Sequence, residues 1–149
     1  MDVHIGIEQE TREKVAKTLN QLLADEFVLY TKTRNYHWNV TGLQFNDLHQ
    51  MFEDQYKQLE GFIDDIAERV RTLGYRPLSS LSEYLEHTQL EENQSAMEAQ
   101  EMVRDLFKDH ELICRTLREQ IEQSESYLGD VGTEDFLTGI LKDHEKTAW

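Results

Sequence analysis

The chain has 149 residues, and its 30 acidic residues outnumber the 15 Lys and Arg, which gives a formal net charge of −15 at pH 7. A charge of this sign repels phosphate backbones and attracts cations, so direct binding of nucleic acid is disfavoured and metal ions are plausible partners. The length and the 38% hydrophobic content suit one domain over residues 1–149 with a proper core. Since no apolar run approaches the roughly 20 residues that span a bilayer and the first ten residues do not resemble a signal peptide, we expect a cytoplasmic protein with no membrane partner.

Apolar residues at spacings of three and four predict long helices in the first half of the chain. The first predicted helix runs from about Glu8 to Tyr36, and residues 39–42 form the turn that follows it. The second runs from about Asn46 to Leu73, and Gly74 lies just past its end. A crossover then extends from Tyr75 to about Leu90, which is long enough to let neighbouring helices run parallel.

The second half of the chain is also predicted to be helical. Residues Ser80 to His87 are expected to form a short helix within the crossover, and a long helix spans about Glu91 to Ser126. The last helix is predicted to begin near Thr133, after a break at Gly129 and Gly132. Two helical hairpins joined by one long crossover predict an all-α, ferritin-like four-helix bundle.

The second predicted helix carries two opposite faces. At about 100° per residue, its apolar side chains fall in one sector, which we expect to face the core: Phe52, Leu59, Phe62, Ile63, Ile66, Val70 and Leu73. Side chains that can bind metal fall in the opposite sector: His49, Glu53, Glu60, Asp64 and Glu68. Imidazole and carboxylate donors suit a redox-active divalent ion such as iron better than a thiolate site would.

The outer sector has two interpretations. It is either a solvated acidic stripe, the ordinary state of a helix surface, or half of a site shared between chains. His49 and Asp64 would lie about 22 Å apart on one helix, so one metal cannot bridge them. If two copies of this helix cross antiparallel near residues 58 and 59, His49 and Glu53 of one chain meet Asp64 and Glu68 of the other. His37, just before the turn, could reach the same place.

A site inside the bundle is disfavoured by sequence. Ferritin-type di-iron centres use Glu-x-x-His pairs on facing helices, and no Glu-x-x-His occurs in this chain. A ferritin or bacterioferritin with in-bundle iron is therefore the alternative enzyme. The non-enzymatic alternative is a DNA-compacting helical scaffold that keeps the fold without metal chemistry.

One stretch resembles the signature of the Dps family of miniferritins. It comprises residues 36–42, Tyr-His-Trp-Asn-Val-Thr-Gly, followed by Phe45, Leu48-His49, Phe52-Glu53, Gln55-Tyr56, Leu59, Asp64, Ala67-Glu68-Arg69 and Leu73-Gly74. The likeness continues to residues 22–26 before this stretch and residues 143–146 in the last helix. The chain is thus identified as a member of this family on sequence grounds.

This resemblance implies a hollow homododecamer that oxidises Fe(II), preferably with hydrogen peroxide, and stores ferric mineral. It makes His37 and His49 the iron ligands from one chain, and Asp64 and Glu68 those from its twofold partner, with two iron positions per site. Residues with implied secondary roles are Glu53 at the weaker iron position, Trp38 as an electron relay or packing residue, and Asp130, Glu134 and Asp135 at an iron-entry pore.

The first residues of the chain bear on DNA binding. Family members often bind DNA through a basic terminal tail, but residues 1–9 contain no Lys or Arg, so we expect protection without direct DNA binding.

His110 lies on an apolar stripe and is expected to be a buried, hydrogen-bonded histidine. Glu26 also lies on such a stripe and would need a buried partner. His144 is expected to be a surface or end-of-helix group, and Cys114 is expected to pack as a small apolar group.

Overall fold

The computed structural model describes residues 3–124 and 130–149, without the side chains of residues 123 and 124. Its elements are α1 (Gln9–Asn39), α2 (Phe45–Thr72), α3 (Leu81–His87), α4 (Ala99–Ser124) and α5 (Val131–Ala148). The helix α1 packs along α2, and α4 packs along α5; contacts of α1 with α4 and of α2 with α5 close the bundle. The predicted all-α four-helix bundle is confirmed, with α3 as the short helix of the crossover. No helix in the described part of the chain is long and apolar enough to cross a membrane.

A tight turn joins α1 to α2. The helix α1 continues to Asn39, three residues beyond its predicted end, and the Asn39 side chain donates to the Asn35 carbonyl at 2.9 Å. Gly42 has a φ of +106°, a backbone conformation that glycine adopts without steric cost. The Phe45 N–H then donates to the Gly42 carbonyl at 3.2 Å as α2 begins. This turn sets the last turn of α1 beside the first turns of α2.

The start of α4 differs from the prediction. The helix begins at Ala99 and not near Glu91, because the Asn93 side chain forms a local turn in which its Oδ1 accepts from the Ser95 N–H at 2.9 Å. Such side-chain to backbone bonds compete with helix formation. The Asn93 amide also donates to the Tyr36 hydroxyl at 2.9 Å, and the Asn35 amide donates to the Asn93 carbonyl at 3.1 Å, so the segment is fastened to α1. The predicted end near Ser126 and the break at Gly129 lie outside the described residues. The predicted break at Gly132 is wrong, since α5 begins at Val131 and includes Gly132.

The two faces of α2 are arranged as predicted. Phe52, Leu59, Ile66 and Val70 are at most 2% exposed, whereas Glu60, Asp64 and Glu68 are exposed and His49 and Glu53 are half-buried. Burial of each large apolar side chain contributes about 1.5–3 kcal/mol. The core therefore fixes the rotation of α2 and turns the sector with the candidate metal ligands outwards.

A buried ion-pair network ties α1 to α4 just before His37. The ammonium of Lys32, 4% exposed, lies 2.8 Å from Asp105 and 2.5 Å from Asp109. The Tyr36 hydroxyl donates to the same Asp105 carboxylate at 2.6 Å. Because a buried charge without its partner costs several kcal/mol, these contacts hold the end of α1 in one position.

A second polar group lies in the middle of the bundle, and it corrects one prediction. His144 is 1% exposed and not at the surface, because α5 places it three residues after the buried Leu141 and seven after the buried Leu137. Its Nε2 lies 2.8 Å from Glu26 Oε1, and its Nδ1 lies 2.8 Å from His110 Nδ1. His144 is thus the partner that Glu26 needs, and the prediction of a buried, hydrogen-bonded His110 is confirmed. Cys114 is a half-buried free thiol packed against the core, as predicted.

Burial of His110 makes the fold sensitive to acid. Burial first, and the neighbouring His144 second, lower the pKa of His110 from 6.5 to about 3. The stability that this neutral histidine contributes is complete above pH 6.5 and is lost as the pH falls towards 3, since the unfolded chain binds the proton first.

We therefore expect the free energy of unfolding to fall by about 2–3 kcal/mol from this group between pH 7 and pH 4.5. Urea unfolding of wild type, His110→Asn and the exposed-histidine control His87→Gln at both pH values measures this. The acid-induced loss should shrink by that amount in His110→Asn alone; equal losses in all three proteins would contradict it.

Candidate metal centre

Two histidines hold the α1–α2 junction together. The Nδ1 of His37 lies 2.8 Å from the His49 carbonyl oxygen, and the Nδ1 of His49 lies 2.8 Å from the His37 carbonyl oxygen. The His37 carbonyl belongs to the last turn of α1, where backbone carbonyls lack an intrahelical partner. One pair of reciprocal bonds therefore satisfies that carbonyl and fixes both imidazole rings.

These bonds decide which ring nitrogen is available to a metal. A carbonyl oxygen can only accept, so each Nδ1 carries the hydrogen, and the neutral imidazole keeps a lone pair on Nε2. Donation of the second nitrogen to a backbone carbonyl also orients a ligating histidine and raises its basicity. Both Nε2 atoms are consequently prepared as ligands.

Aromatic contacts hold the rings in place. The His37 and His49 rings stack with centroids 3.8 Å apart. Phe45 stacks on the outer side of His49 at 5.0 Å, and Tyr56 meets His37 edge-on at 5.3 Å. Helical spacing does not assign Phe45 and Tyr56 to the site, although both belong to the motif that carries the family resemblance.

Glu53 completes the cluster on the same chain. Within residues 3–124 and 130–149, one group of three ligand-type side chains has donor atoms within 4.8 Å of one another: His37, His49 and Glu53. A hydrogen bond from Lys57, one turn further along α2, is the main cause that lowers the pKa of Glu53; burial opposes this effect, and the charge of Lys57 adds to it. The Glu53 carboxylate is therefore ionised, and its cationic partner in this structure is the Lys57 ammonium, which a metal ion would have to displace.

The other two predicted ligands lie apart from this cluster. Asp64 and Glu68 are exposed on α2, eleven and fifteen residues after Glu53, which corresponds to about 16 and 22 Å along the helix axis. Asp64 lines an open cleft of about 590 Å³ between α1 and α2, together with Lys57, Glu60 and Gly61. A Cβ added at Gly61 would have no heavy atom of the described residues within 4 Å, so the helix surface there is open to an approaching partner.

Trp38 lies beside the cluster without entering the core. Its side chain is 65% exposed, and the Arg34 guanidinium lies 5.1 Å from its ring centroid. The same guanidinium lies 4.7 Å from the Tyr56 ring and donates to the Tyr30 hydroxyl at 2.5 Å. Arg34 thus connects Trp38 to the ring that contacts His37.

The three predicted pore residues differ in their surroundings. Asp130 is 9% exposed and caps α5, since its Oδ1 accepts from the Thr133 N–H at 3.0 Å. It also receives the Arg69 guanidinium at 2.7 Å. Glu134 is half-buried and Asp135 is exposed. Asp130 thus has a structural task at the junction of α2 and α5, and the iron-entry role of the three residues stays a prediction.

Comparison with known proteins identifies the family. The ferritin-like domain family matches residues 16–149. The Dps protein of Vibrio cholerae O1, described as one of the ferritin-like diiron-carboxylate proteins, has a similar structure with a TM-score of 0.93 and 33% identity over 100% of this chain and 94% of that one. The chain belongs to the Dps family of miniferritins. This confirms both the resemblance and the ferritin-like form of the bundle.

Two further relatives of this Dps-family chain extend the comparison. A low temperature-induced protein of Nostoc is 45% identical over 148 residues, which cover 99% of this chain and 83% of that protein. The DNA protection during starvation protein 2 of Bacillus anthracis is 38% identical over 137 residues, which cover 92% of this chain and 93% of that protein. The similarity therefore includes the whole bundle.

The reciprocal histidine bonds lead to a spectroscopic prediction. In metal-free protein at pH 8, solid-state ¹⁵N NMR of labelled histidine should show His37 and His49 as the Nδ1–H tautomer, with unprotonated Nε2. In His37→Ala the His49 signal should keep this form, because its acceptor is the backbone carbonyl of residue 37. A dominant Nε2–H form for either ring would contradict the geometry.

Proposed function

We propose that this Dps-family protein oxidises Fe(II) at sites shared between two chains and stores the ferric product inside a hollow dodecamer in the cytoplasm. Membership of a ferritin-like, diiron-carboxylate family supports iron storage and protection. The observation that carries the proposal is the half-site on each chain. Two prepared imidazoles and Glu53 lie at one end of α2, and exposed carboxylates lie at the other end.

Twofold symmetry would complete the site. His49 and Glu68 are equally far from the midpoint between residues 58 and 59, as are Glu53 and Asp64. An antiparallel crossing of two α2 helices there would place the imidazoles of one chain against Asp64 and Glu68 of the other, twice per dimer. The absence of side chain at Gly61, close to this midpoint, would permit a close approach.

The donor types suit the proposed reaction. Fe(II) as substrate would bind the two Nε2 atoms and the carboxylates, and the negative carboxylates favour the ferric product over Fe(II). Hydrogen peroxide accepts two electrons: two Fe(II), one H₂O₂ and two protons give two Fe(III) and two water molecules. Two iron positions per site would supply both electrons in one event, which avoids release of hydroxyl radical.

Charge would assist iron entry. Each chain carries a formal −15, so a twelve-chain shell would attract Fe(II) over long distances at low ionic strength. Glu134 and Asp135, with Asp130 behind them, are the proposed lining of the entry pore. The same charge opposes binding to a phosphate backbone, so we propose protection through removal of iron and peroxide, without direct DNA binding.

A prediction from mixed assemblies tests whether one site uses two chains. The variants His49→Ala and Asp64→Ala should each lose rapid peroxide-driven Fe(II) oxidation. After the two are unfolded together and reassembled at equal ratio, about half the dimers are mixed, and each mixed dimer has one intact site. Roughly a quarter of wild-type activity should return, measured by stopped-flow absorbance of the ferric product.

A matched mixture provides the control. Assembly of His37→Ala with His49→Ala puts a lesion into the histidine half of every site, so no activity should return. A site built within one chain would give no recovery in either mixture, and that result in verified mixed assemblies would refute the shared site.

A further prediction concerns assembly. Because the half-site needs a partner chain and the Dps resemblance implies a shell of twelve, the native mass should be about 210 kDa, twelve times the chain mass of 17.6 kDa. Native mass spectrometry or light scattering measures it. A monomer, or a shell of 24 chains, would contradict the proposed architecture.

A further inference from the structure

Three ligand-type side chains meet inside the bundle, on the core side and away from the outer sector of α2. Glu26 of α1 is 0% exposed, His110 of α4 is 3% exposed and His144 of α5 is 1% exposed. Phe62 of α2 packs against the His144 ring, with centroids 5.6 Å apart. All four long helices thus enclose this group.

The hydrogen bonds of this group are incomplete. Its two bonds, each 2.8 Å long, use one oxygen of Glu26, both nitrogens of His144 and Nδ1 of His110. Glu26 Oε2 and His110 Nε2 are buried and have no hydrogen-bond partner among the residues that the structure describes. A buried polar atom without a hydrogen bond keeps its full desolvation penalty, and native proteins contain few such atoms without a reason.

The arrangement of the two imidazoles suggests what the group can hold. His110 and His144 direct their Nδ1 atoms at each other across 2.8 Å, and a single hydrogen between them is all that this contact can contain. A divalent ion can replace that hydrogen. With metal to nitrogen distances of about 2.0–2.1 Å in a tetrahedral site, the two nitrogens need to separate by only about half an ångström.

Glu26 lies where a metal site would need it. On the far edge of the His144 ring it accepts from Nε2, which is the carboxylate–histidine–metal arrangement that orients a ligating imidazole and raises its basicity. His110 also lines a cleft of about 330 Å³ between α2, α4 and the end of α5. The cleft offers an entry path, and water within it can fill the remaining coordination positions.

We propose that each chain holds one divalent transition-metal ion between His110 and His144, with Glu26 as the positioning carboxylate, independently of the site on α2. The two imidazoles suit borderline ions such as Zn²⁺ and Co²⁺. The donor set contains no Glu-x-x-His pair and one carboxylate, so the site is mononuclear and differs from a ferritin-type di-iron centre.

The test removes the outer site first. In full-length His37→Ala/His49→Ala protein, equilibrium dialysis with metal analysis should find one Zn²⁺ per chain, and Co²⁺ should give visible d–d absorption typical of low coordination number. Zn²⁺ should also raise the thermal midpoint. Adding Glu26→Gln, which keeps the side-chain shape, should weaken Zn²⁺ binding by about 10–100-fold. Adding His110→Asn should abolish the Co²⁺ absorption.

The control is the exposed histidine at the end of α3. His87→Gln in the same background should change neither stoichiometry nor affinity. A folded background protein that binds no Zn²⁺ at one ion per chain would overturn the proposal, and so would binding that Glu26→Gln leaves unchanged. His110→Asn is used only if circular dichroism shows that it folds. If it does not, the proposal is tested by the Glu26→Gln affinity and by the position of the Co²⁺ anomalous peak in a crystal. A Co²⁺ peak away from α4 and α5 overturns the proposal.

Discussion

The reciprocal hydrogen bonds between His37 and His49 are the constraint on which the candidate centre depends. They join the last turn of α1 to the first turns of α2, and each uses the carbonyl of the other residue. A shift of either helix would lengthen both bonds together. The same contacts leave both Nε2 atoms unprotonated, so the geometry of the helix junction and the chemistry of the ligands are set by one interaction.

That junction is rigid because α1 is fastened to the opposite hairpin. Lys32 and Tyr36 both contact Asp105 of α4, and Tyr36 is the residue before His37. The contact is costly to break, since removal of one partner leaves a buried charge. The contact with α4 therefore fixes Tyr36 and, through the backbone, the neighbouring His37. The hydrogen bonds of His37 in turn fix His49 across the turn.

The sequence predicts the parts of this protein that depend on periodicity. The rotation of α2, with Phe52 and Ile66 inside and Asp64 and Glu68 outside, follows from a spacing that any amphipathic helix must obey. The proposed roles of His37 and His49 follow from the family resemblance. Partnerships across the bundle are harder to predict, because Glu26 and His144 are 118 residues apart. The seven-residue spacing of Leu137 and His144 was a usable signal for burial; the Asn93 turn that delays α4 had no periodic signal.

The two ends of α2 carry different ligand types, and this difference would control the proposed chemistry. Imidazoles lie near the start of this helix and exposed carboxylates near its end, so in the proposed site a single chain would present two incomplete halves about 22 Å apart. Oxidation at a shared site would then be confined to assembled protein, where a cavity is available for the ferric product. A lone chain would bind Fe(II) weakly through Glu53 and the histidines without the carboxylates that favour Fe(III). Assembly would thus be the step that couples iron oxidation to iron storage.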